Sequence, residues 1–283
     1  MRPRTRQLLG LGPHGFHRLC YSEWGTAEGR GTVICVHGLS GNRHDFDFLA
    51  PLLAPSLRVV CPDLPGRGDS GWLADPRDYA NPVYLADMAA LLARLDVDGV
   101  DWVGTSLGGI LGLLRAAQPG SPIRRLVLND VGPYIPKAGL QRIARYIGGD
   151  LSFASREAAE QHLRVALAPF GALSEQHWAH LCESRLLRRP GHWSLHYDPG
   201  LALGLQQAAD EDVDLWPAWQ ALRCPVLLLR GAESDVLTRE TAEAMLQRHP
   251  GTVLHEFAGV GHAPPLLAPD QTQVVHDWLL AQP

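Results

Sequence analysis

The stretch Val100-Asp101-Trp102-Val103-Gly104-Thr105-Ser106-Leu107-Gly108-Gly109-Ile110-Leu111-Gly112-Leu113-Leu114 decides how this chain folds. Val100 to Val103 has the character of a short buried strand, and from Leu107 onward the residues form an apolar helix. Gly104, Thr105 and Ser106 must therefore reverse the chain within about one turn. Ser106 then occupies the apex of a strand-to-helix turn. Side chains two positions either side of such an apex collide, and Gly104 and Gly108 remove them, leaving the spacing Gly-x-Ser-x-Gly. The serine is held in a strained backbone conformation with its hydroxyl projecting into a cleft, and the first free helix amides point at whatever it attacks. The spacing alone also occurs by chance in Gly-rich turns. Its weight comes from the apolar strand before it and the helix after it.

Upstream, residues 16 to 24 alternate loosely and run into a Gly-rich turn from Gly25 to Gly31, which predicts an edge hairpin strand. Thr32 to Val36 is a β-branched run of the kind buried on both faces of a sheet. It leads into His37-Gly38-Leu39-Ser40-Gly41, where two glycines let backbone amides approach a ligand, and the Leu39 amide is a candidate for half of an oxyanion hole. Phe46 to Leu53 is expected as a helix and Leu57 to Cys61 as a strand. In the loop Asp63 to Ser70 that follows, Asp63 and Asp69 serve as braces, and Arg67-Gly68-Asp69 is a turn rather than an adhesion tripeptide. Pro82 to Leu95 carries Leu85, Met88, Ala89 and Leu92 at helical spacing.

Downstream, Arg124 to Leu128 is a strand closed by Asn129-Asp130, and the pattern returns with strands Pro225 to Leu229 and Val253 to Phe257 and helices Arg239 to Arg248 and Asp270 to Leu280. Strands alternating with helices over short loops predict an α/β fold with a doubly wound, mostly parallel sheet. Such a sheet places reactive groups beyond the carboxyl ends of its strands, where His37, Ser106 and Asp130 fall. From about Val131 to Pro217 the rhythm stops: Ala138 to Ile147, Arg156 to Ala168 and a Ser174-capped segment through Leu187 read as helices without intervening strands. The expected division is a core of residues 1–131 and 216–283 with an inserted helical cap of residues 132–215. His37 and the cap aromatics Tyr146, Trp178 and Trp193 are candidates to line a substrate pocket, with Phe153 and Phe170 beside them; packing of cap onto core is the competing role for each cap aromatic. His177 and His180 have no carboxylate or cysteine at matching spacing, so no metal site is expected.

The 283 residues are 46% hydrophobic and 19% charged, which excludes disordered, collagen-like and coiled-coil classes. A net charge of −5, spread along the chain, gives no reason to expect nucleic acid or an anionic membrane surface as partner. The five cysteines are odd in number and lack a Cys-x-x-Cys spacing, and the apolar run Leu8 to Leu11 after the basic N-terminus is short and broken by Gly10. A cytoplasmic protein is the expectation.

A serine hydroxyl needs a base near pKa 7, and that base needs an orienting acid. Of 13 histidines, His262 alone lies in a Gly-bounded loop after the last core strand; Asp235 lies in the loop after the preceding strand, on the same rim. Asp130 is the rival acid. The segments His37-Gly38, Asp63 to Ser70, Gly104 to Gly109, Gly231 to Asp235 and Gly261-His262, in that order over nearly the whole chain, resemble a serine-type α/β-hydrolase with a helical cap. The resemblance implies Ser106 as nucleophile, His262 as base, and the Leu39 and Leu107 amides as oxyanion hole. Asp235 is the implied acid because a serine precedes it as in the family's usual acid turn, although some relatives draw the carboxylate from the position of Asp130. It implies cleavage of a small carboxylic ester, lactone or thioester through an acyl-enzyme, with no cofactor or metal, a small-molecule acyl substrate as partner, and a monomer or homodimer. A carbon-carbon bond hydrolase on the same triad is the alternative, disfavoured because Leu39-Ser40-Gly41-Asn42 stands where those enzymes usually continue Gly-Pro-Gly; a small-molecule receptor of the same fold is another.

Overall fold

The computed structural model describes residues 2–26, 29–147 and 151–281. The chain opens with a hairpin, β1 (Arg4–Gly12) and β2 (Gly15–Trp24), then β3 (Thr32–Val36), α1 (Ala50–Leu53), β4 (Arg58–Pro62) and α2 (Asn81–Leu95). The deciding stretch is β5 (Val100–Thr105) followed directly by α3 (Leu107–Ala116), and β6 (Ile123–Asn129) completes the first half. The chain then contributes β7 (Tyr134–Ile135), α4 (Lys137–Ala144), β8 (Ser152–Phe153), α5 (Arg156–Ala166), α6 (Glu175–Arg185), β9 (Leu186–Arg189), β10 (His192–Leu195), α7 (Leu201–Ala208) and β11 (Val213–Asp214). The chain returns through α8 (Trp216–Ala221), β12 (Val226–Gly231), α9 (Arg239–Arg248), β13 (Thr252–Phe257) and α10 (Pro269–Leu280).

The eight-stranded sheet has the order β1-β2-β4-β3-β5-β6-β12-β13. The β1–β2 and β2–β4 pairs are antiparallel and the others parallel. Alternate residues of the central strands enter two different cores, as a period of two requires. Val33, Cys35, Val103, Val127 and Leu229 face one layer of helices; Ile34, Val36, Trp102, Leu128 and Leu228 face the other. At about 1.5–3 kcal/mol for each fully buried aliphatic side chain, this two-sided burial is the largest stabilising contribution to the scaffold. Strands β3 and β5 are neighbours although α1, β4 and α2 separate them in sequence, so the sheet order reverses between them, where ligands gather in such sheets.

The structure departs from the sequence expectations in three places. Arg4–Gly12 is a full edge strand paired along its length with β2; its alternation was hidden because the edge leaves most of its side chains, Leu9 and Leu11 included, exposed. The helix expected over 46–53 is a 3₁₀ turn at Arg43–Phe46 followed by the four-residue α1. The segment expected to hold helices without strands contains strands: β8, β10 and β9 form a small antiparallel sheet, and β7 pairs with β11. Strands of two to four residues are too short to show a period, and their partners lie far off in sequence. Part of the predicted turn from Gly25 to Gly31, residues 27 and 28, lies outside the described residues. Among the described residues no helix is long and apolar enough to cross a membrane.

Candidate active site

The turn after β5 has Ser106 at φ 50° and ψ −114°, a left-handed conformation that a non-glycine residue adopts at a cost. The flanking glycines are required by close approach. A Cβ on Gly104 would stand 2.3 Å from the Gly108 carbonyl oxygen, and one on Gly108 would stand 2.0 Å from the carbonyl oxygen of Val36, at the end of β3. The Trp102 indole donates to the Gly108 carbonyl at 3.0 Å, and the Ser106 amide donates to the Asn129 carbonyl at 3.0 Å, so strand, helix and the neighbouring β6 are joined at the apex. The loop after β3 lies directly against the turn: a Cβ at Gly38 would be 3.6 Å from Ser106 Cβ.

Ser106 Oγ lies 2.9 Å from His262 Nε2, and His262 Nδ1 lies 2.7 Å from Asp130 Oδ2. Ser106, the expected nucleophile, and His262, the expected base, are thus brought together from opposite ends of the chain. The acid beside them is the rival. Asp130 is fully buried at the end of β6, where the Gly231 amide donates to Oδ1 at 2.8 Å and Ser234 Oγ to Oδ2 at 2.5 Å. Asp235, the sequence expectation for this place, instead pairs with Arg142, at 2.7 Å from Nη2 to Oδ1 and 2.5 Å from Nε to Oδ2, with 44% of its side chain exposed. Strand order explains the correction. β6 lies next to β5, whereas β12 is one strand further out, so a carboxylate ending β6 sits beside the imidazole. The loop after β12 crosses above that carboxylate and supplies donors to it.

His37, expected to line the substrate pocket, is buried behind it and absent from its walls. Its Nδ1–H donates to the Gly38 carbonyl at 2.6 Å and its Nε2 accepts the Leu64 amide at 2.9 Å. Burial, reinforced by the Arg67 guanidinium, pushes its pKa down to about 3, so the ring is a neutral brace. Arg67, also fully buried, donates to the carbonyls of Leu39 (2.8 Å) and Pro65 (2.6 Å) and to the Tyr84 hydroxyl (2.8 Å). Asp63 accepts the amides of Arg43 (2.7 Å) and Asp69 (3.0 Å), and Asp69 pairs with Arg43 at 2.5 Å, the bracing roles their loop suggested. Leu107 is the first residue of α3, so its amide has no intrahelical acceptor.

Two cavities meet at Ser106. One, of about 290 Å³, is apolar and lies between Leu107 and Ile110 of α3, Leu140 and Ile143 of α4 and Leu205 of α7. The other, of about 80 Å³, holds His262, Tyr146, Phe170, Asp45 and Arg185. Leu39 lines both. Tyr146 and Phe170 therefore lie where they were expected. Trp178 and Trp193 do not reach these cavities; Arg164 covers the Trp178 ring at 4.7 Å and Arg156 the Trp193 ring at 5.8 Å. Arg185 was missed. A signal existed, because it shares a helix face with Trp178, Leu181 and Cys182, and a cation on a buried apolar stripe is out of place. Among the described residues no cluster of three or more His, Cys, Asp or Glu is arranged to hold a metal.

A family model described as the alpha/beta hydrolase family matches residues 33–273. A curated relative, the 3-hydroxybutyrate-oligomer hydrolase of Cupriavidus necator, is 40% identical over 281 residues, covering 96% of each chain. An esterase of Mycobacterium tuberculosis is 31% identical over 78% of this chain and 72% of its own. Among solved structures, an alpha/beta hydrolase from Novosphingobium aromaticivorans superposes with a TM-score of 0.89 at 34% identity over 99% of both chains.

Proposed function

The chain belongs to the alpha/beta hydrolase family and is a carboxylic ester hydrolase, and from that premise we propose that it cleaves short oligoesters of a 3-hydroxyacid through Ser106, His262 and Asp130. The observation that carries the reading is the unbroken hydrogen-bonded line Ser106–His262–Asp130 opening onto two unequal cavities. The choice of substrate is supported by the 40% identity, over 96% of both chains, to a 3-hydroxybutyrate-oligomer hydrolase.

In this reading the Ser106 hydroxyl donates to His262 Nε2, which takes its proton as Oγ attacks the ester carbonyl carbon. Asp130, accepting from Nδ1–H, fixes the tautomer that leaves Nε2 free to accept, and it stabilises the imidazolium as it forms. The amides of Leu39 and Leu107 hold the developing oxyanion; one such donor typically contributes about 10²–10³-fold in rate. Arg67 and His37 keep that loop in place through the Leu39 and Gly38 carbonyls, each a hydrogen bond to the oxyanion loop rather than to substrate. His262 then protonates the leaving alkoxide, and a water activated by the same ring hydrolyses the acyl-serine.

The test is turnover of 4-nitrophenyl butyrate and of the 3-hydroxybutyrate dimer by the wild type and Ser106→Ala. The variant should lose both activities by at least about 10³-fold with its circular dichroism and melting temperature retained. Equal turnover by the two proteins would end the serine reading. Esters cut at a high rate with the dimer ignored would remove the oligoester assignment alone.

A further inference from the structure

Resting on the ester-hydrolase reading above, we propose that the smaller cavity beside Ser106 is a subsite for the free carboxylate of the substrate, with Arg185 as the residue that holds it, so that hydroxyacid units leave from the acid end of the oligoester.

Arg185 is 94% buried, since its relative exposure is 6%. Its Nη1 donates to the Ser40 carbonyl at 2.9 Å and its Nη2 to Asp45 Oδ1 at 2.6 Å, but Nε has no partner. A buried guanidinium N–H without an acceptor is costly, and a role as a tie between α6 and the Ser40–Asp45 loop accounts for the two Nη bonds only. Arg185 lines the cavity that also contains Ser106 and His262, and it lines the smaller space that shares Ser40, Tyr146 and Leu167 with that cavity. That space is also lined by His162, whose buried Nε2 lacks a partner and whose ring burial keeps toward the neutral form. The Arg185 Nε–H is a donor without a protein acceptor among the described residues, and a carboxylate is the group a guanidinium recognises best.

The charges facing this space are near balance before a ligand enters. Asp45 neutralises Arg185, burial pushes the Asp45 pKa up, and His44 and His180 face the same carboxylate. Among the described residues, Arg185 is the one Arg or Lys side chain on the wall of this cavity, and Asp45 is the anion with which an arriving carboxylate shares it. Size agrees: at roughly 10–15 Å³ for each water position, the cavity of about 80 Å³ admits about six such positions, the bulk of one 3-hydroxybutyrate unit. The apolar cavity of about 290 Å³ on the other side of Ser106 is left for the acyl portion.

The chemistry balances without a further reactant. Ser106 Oγ forms the bond to the carbonyl carbon, the bond from that carbon to the ester oxygen of the terminal unit breaks, and His262 returns the serine proton to that oxygen. The terminal unit departs as a 3-hydroxyacid anion with its carboxylate on Arg185, and water releases the acyl group.

The experiment compares kcat/KM for the 3-hydroxybutyrate dimer as free acid and as methyl ester, with 4-nitrophenyl butyrate alongside. The wild type should prefer the free acid by at least about tenfold, mainly in KM. Arg185→Gln should bring the ratio close to one, and Arg185→Lys should restore part of it. A measurement on the unaltered enzyme runs in parallel, with 3-hydroxybutyrate inhibiting at least about tenfold better than 3-hydroxybutanamide. Equal turnover of acid and methyl ester, a preference that survives in Arg185→Gln, or an amide that inhibits as well as the acid would each overturn the subsite. If none of the three esters is cleaved, the ester-hydrolase reading fails and the subsite falls with it; if the methyl and nitrophenyl esters are cleaved without preference for the acid, the subsite alone fails.

Discussion

Two loops leave the carboxyl ends of β6 and β12, each carrying an aspartate on the rim where His262 sits, and they have opposite fates. Asp130 is fully buried and receives the Gly231 amide, the Ser234 hydroxyl and the His262 ring. Asp235 stands with nearly half its side chain in solvent, held by Arg142 of α4. A buried carboxylate is tolerated only when its oxygens are well supplied with donors, and the loop that carries Asp235 provides two of them to Asp130. The loops are therefore partners, one carrying the carboxylate that meets the imidazole and the other cradling it. Under the proposed mechanism, a motif of serine followed by aspartate marks the place of the acid without naming the residue.

The largest effect that can break this contrast is on turnover. Asp130→Asn should lower kcat by roughly 10³–10⁴-fold, because the amide leaves the imidazole in the wrong tautomer. Asp235→Asn should stay within about threefold of the wild type, since it removes a half-exposed ion pair with Arg142, whereas the hydrogen bond to the ring is made by Asp130. Initial rates on 4-nitrophenyl butyrate measure both, and reversed magnitudes would return the acid to Asp235.

The same contrast shows what was legible in the chain. Gly104, Ser106 and Gly108 could be read because the turn is local: its steric demand is written within five residues, and Gly104 and Gly108 stand where any Cβ would strike backbone. Thr32 to Val36 was legible for a similar reason, since burial on both faces leaves a continuous β-branched run. The choice between Asp130 and Asp235 depends on the order of β5, β6 and β12 in the sheet, which no local pattern encodes. His37 does not reach the pocket, and Trp178 and Trp193 take the packing role that the sequence leaves open for them, because side-chain direction within a loop or a helix is set by tertiary packing. His37 turns inward to Leu64 and Gly38, and the two indoles turn toward arginines. Arg67 comes from a loop whose sequence reads as surface, whereas Arg185 betrays itself only by standing on the apolar stripe of α6.

A smaller effect sharpens the comparison from the cradle side. Ser234→Ala deletes the 2.5 Å bond to Asp130 while leaving the Gly231 amide in place. The variant should lose about tenfold in kcat with little change in KM, and a buried carboxylate short of one donor should lower stability by about 1–3 kcal/mol. Urea denaturation and steady-state kinetics on the same preparation test this; a change confined to KM would place Ser234 against substrate instead.

Acid titration extends the contrast between buried and exposed groups. The pKa of His37 is depressed to about 3, so between the unfolded value near 6.5 and about 3 the unfolded chain binds the extra proton. The stability contributed by the neutral ring is fully present above about pH 6.5 and declines as pH falls through that window. His37→Gln should begin less stable at pH 7, because a glutamine reproduces the two bonds imperfectly, and should show a shallower fall in melting temperature between pH 6.5 and 4. Parallel curves would mean that His37 does not carry the acid sensitivity.

The weakest expected effect belongs to Asp235. Burial alone would raise its pKa, but the hydrogen bonds and charge of Arg142 outweigh that and hold it below the ordinary carboxylate range. A depressed carboxylate stabilises the fold above its unfolded pKa of about 3.9 and stops doing so as pH falls through its folded value. Because the pair is 28% and 44% exposed, solvent screening leaves it about 0–1 kcal/mol, or about 2 °C or less in melting temperature. Asp235→Asn should therefore melt slightly below the wild type at pH 7, and the difference should close below about pH 3.9 and shrink in high salt. A gap of many degrees at pH 7 that salt does not touch would show that Asp235 is held as firmly as Asp130, and the distinction between the acid loop and the cradle loop would no longer stand.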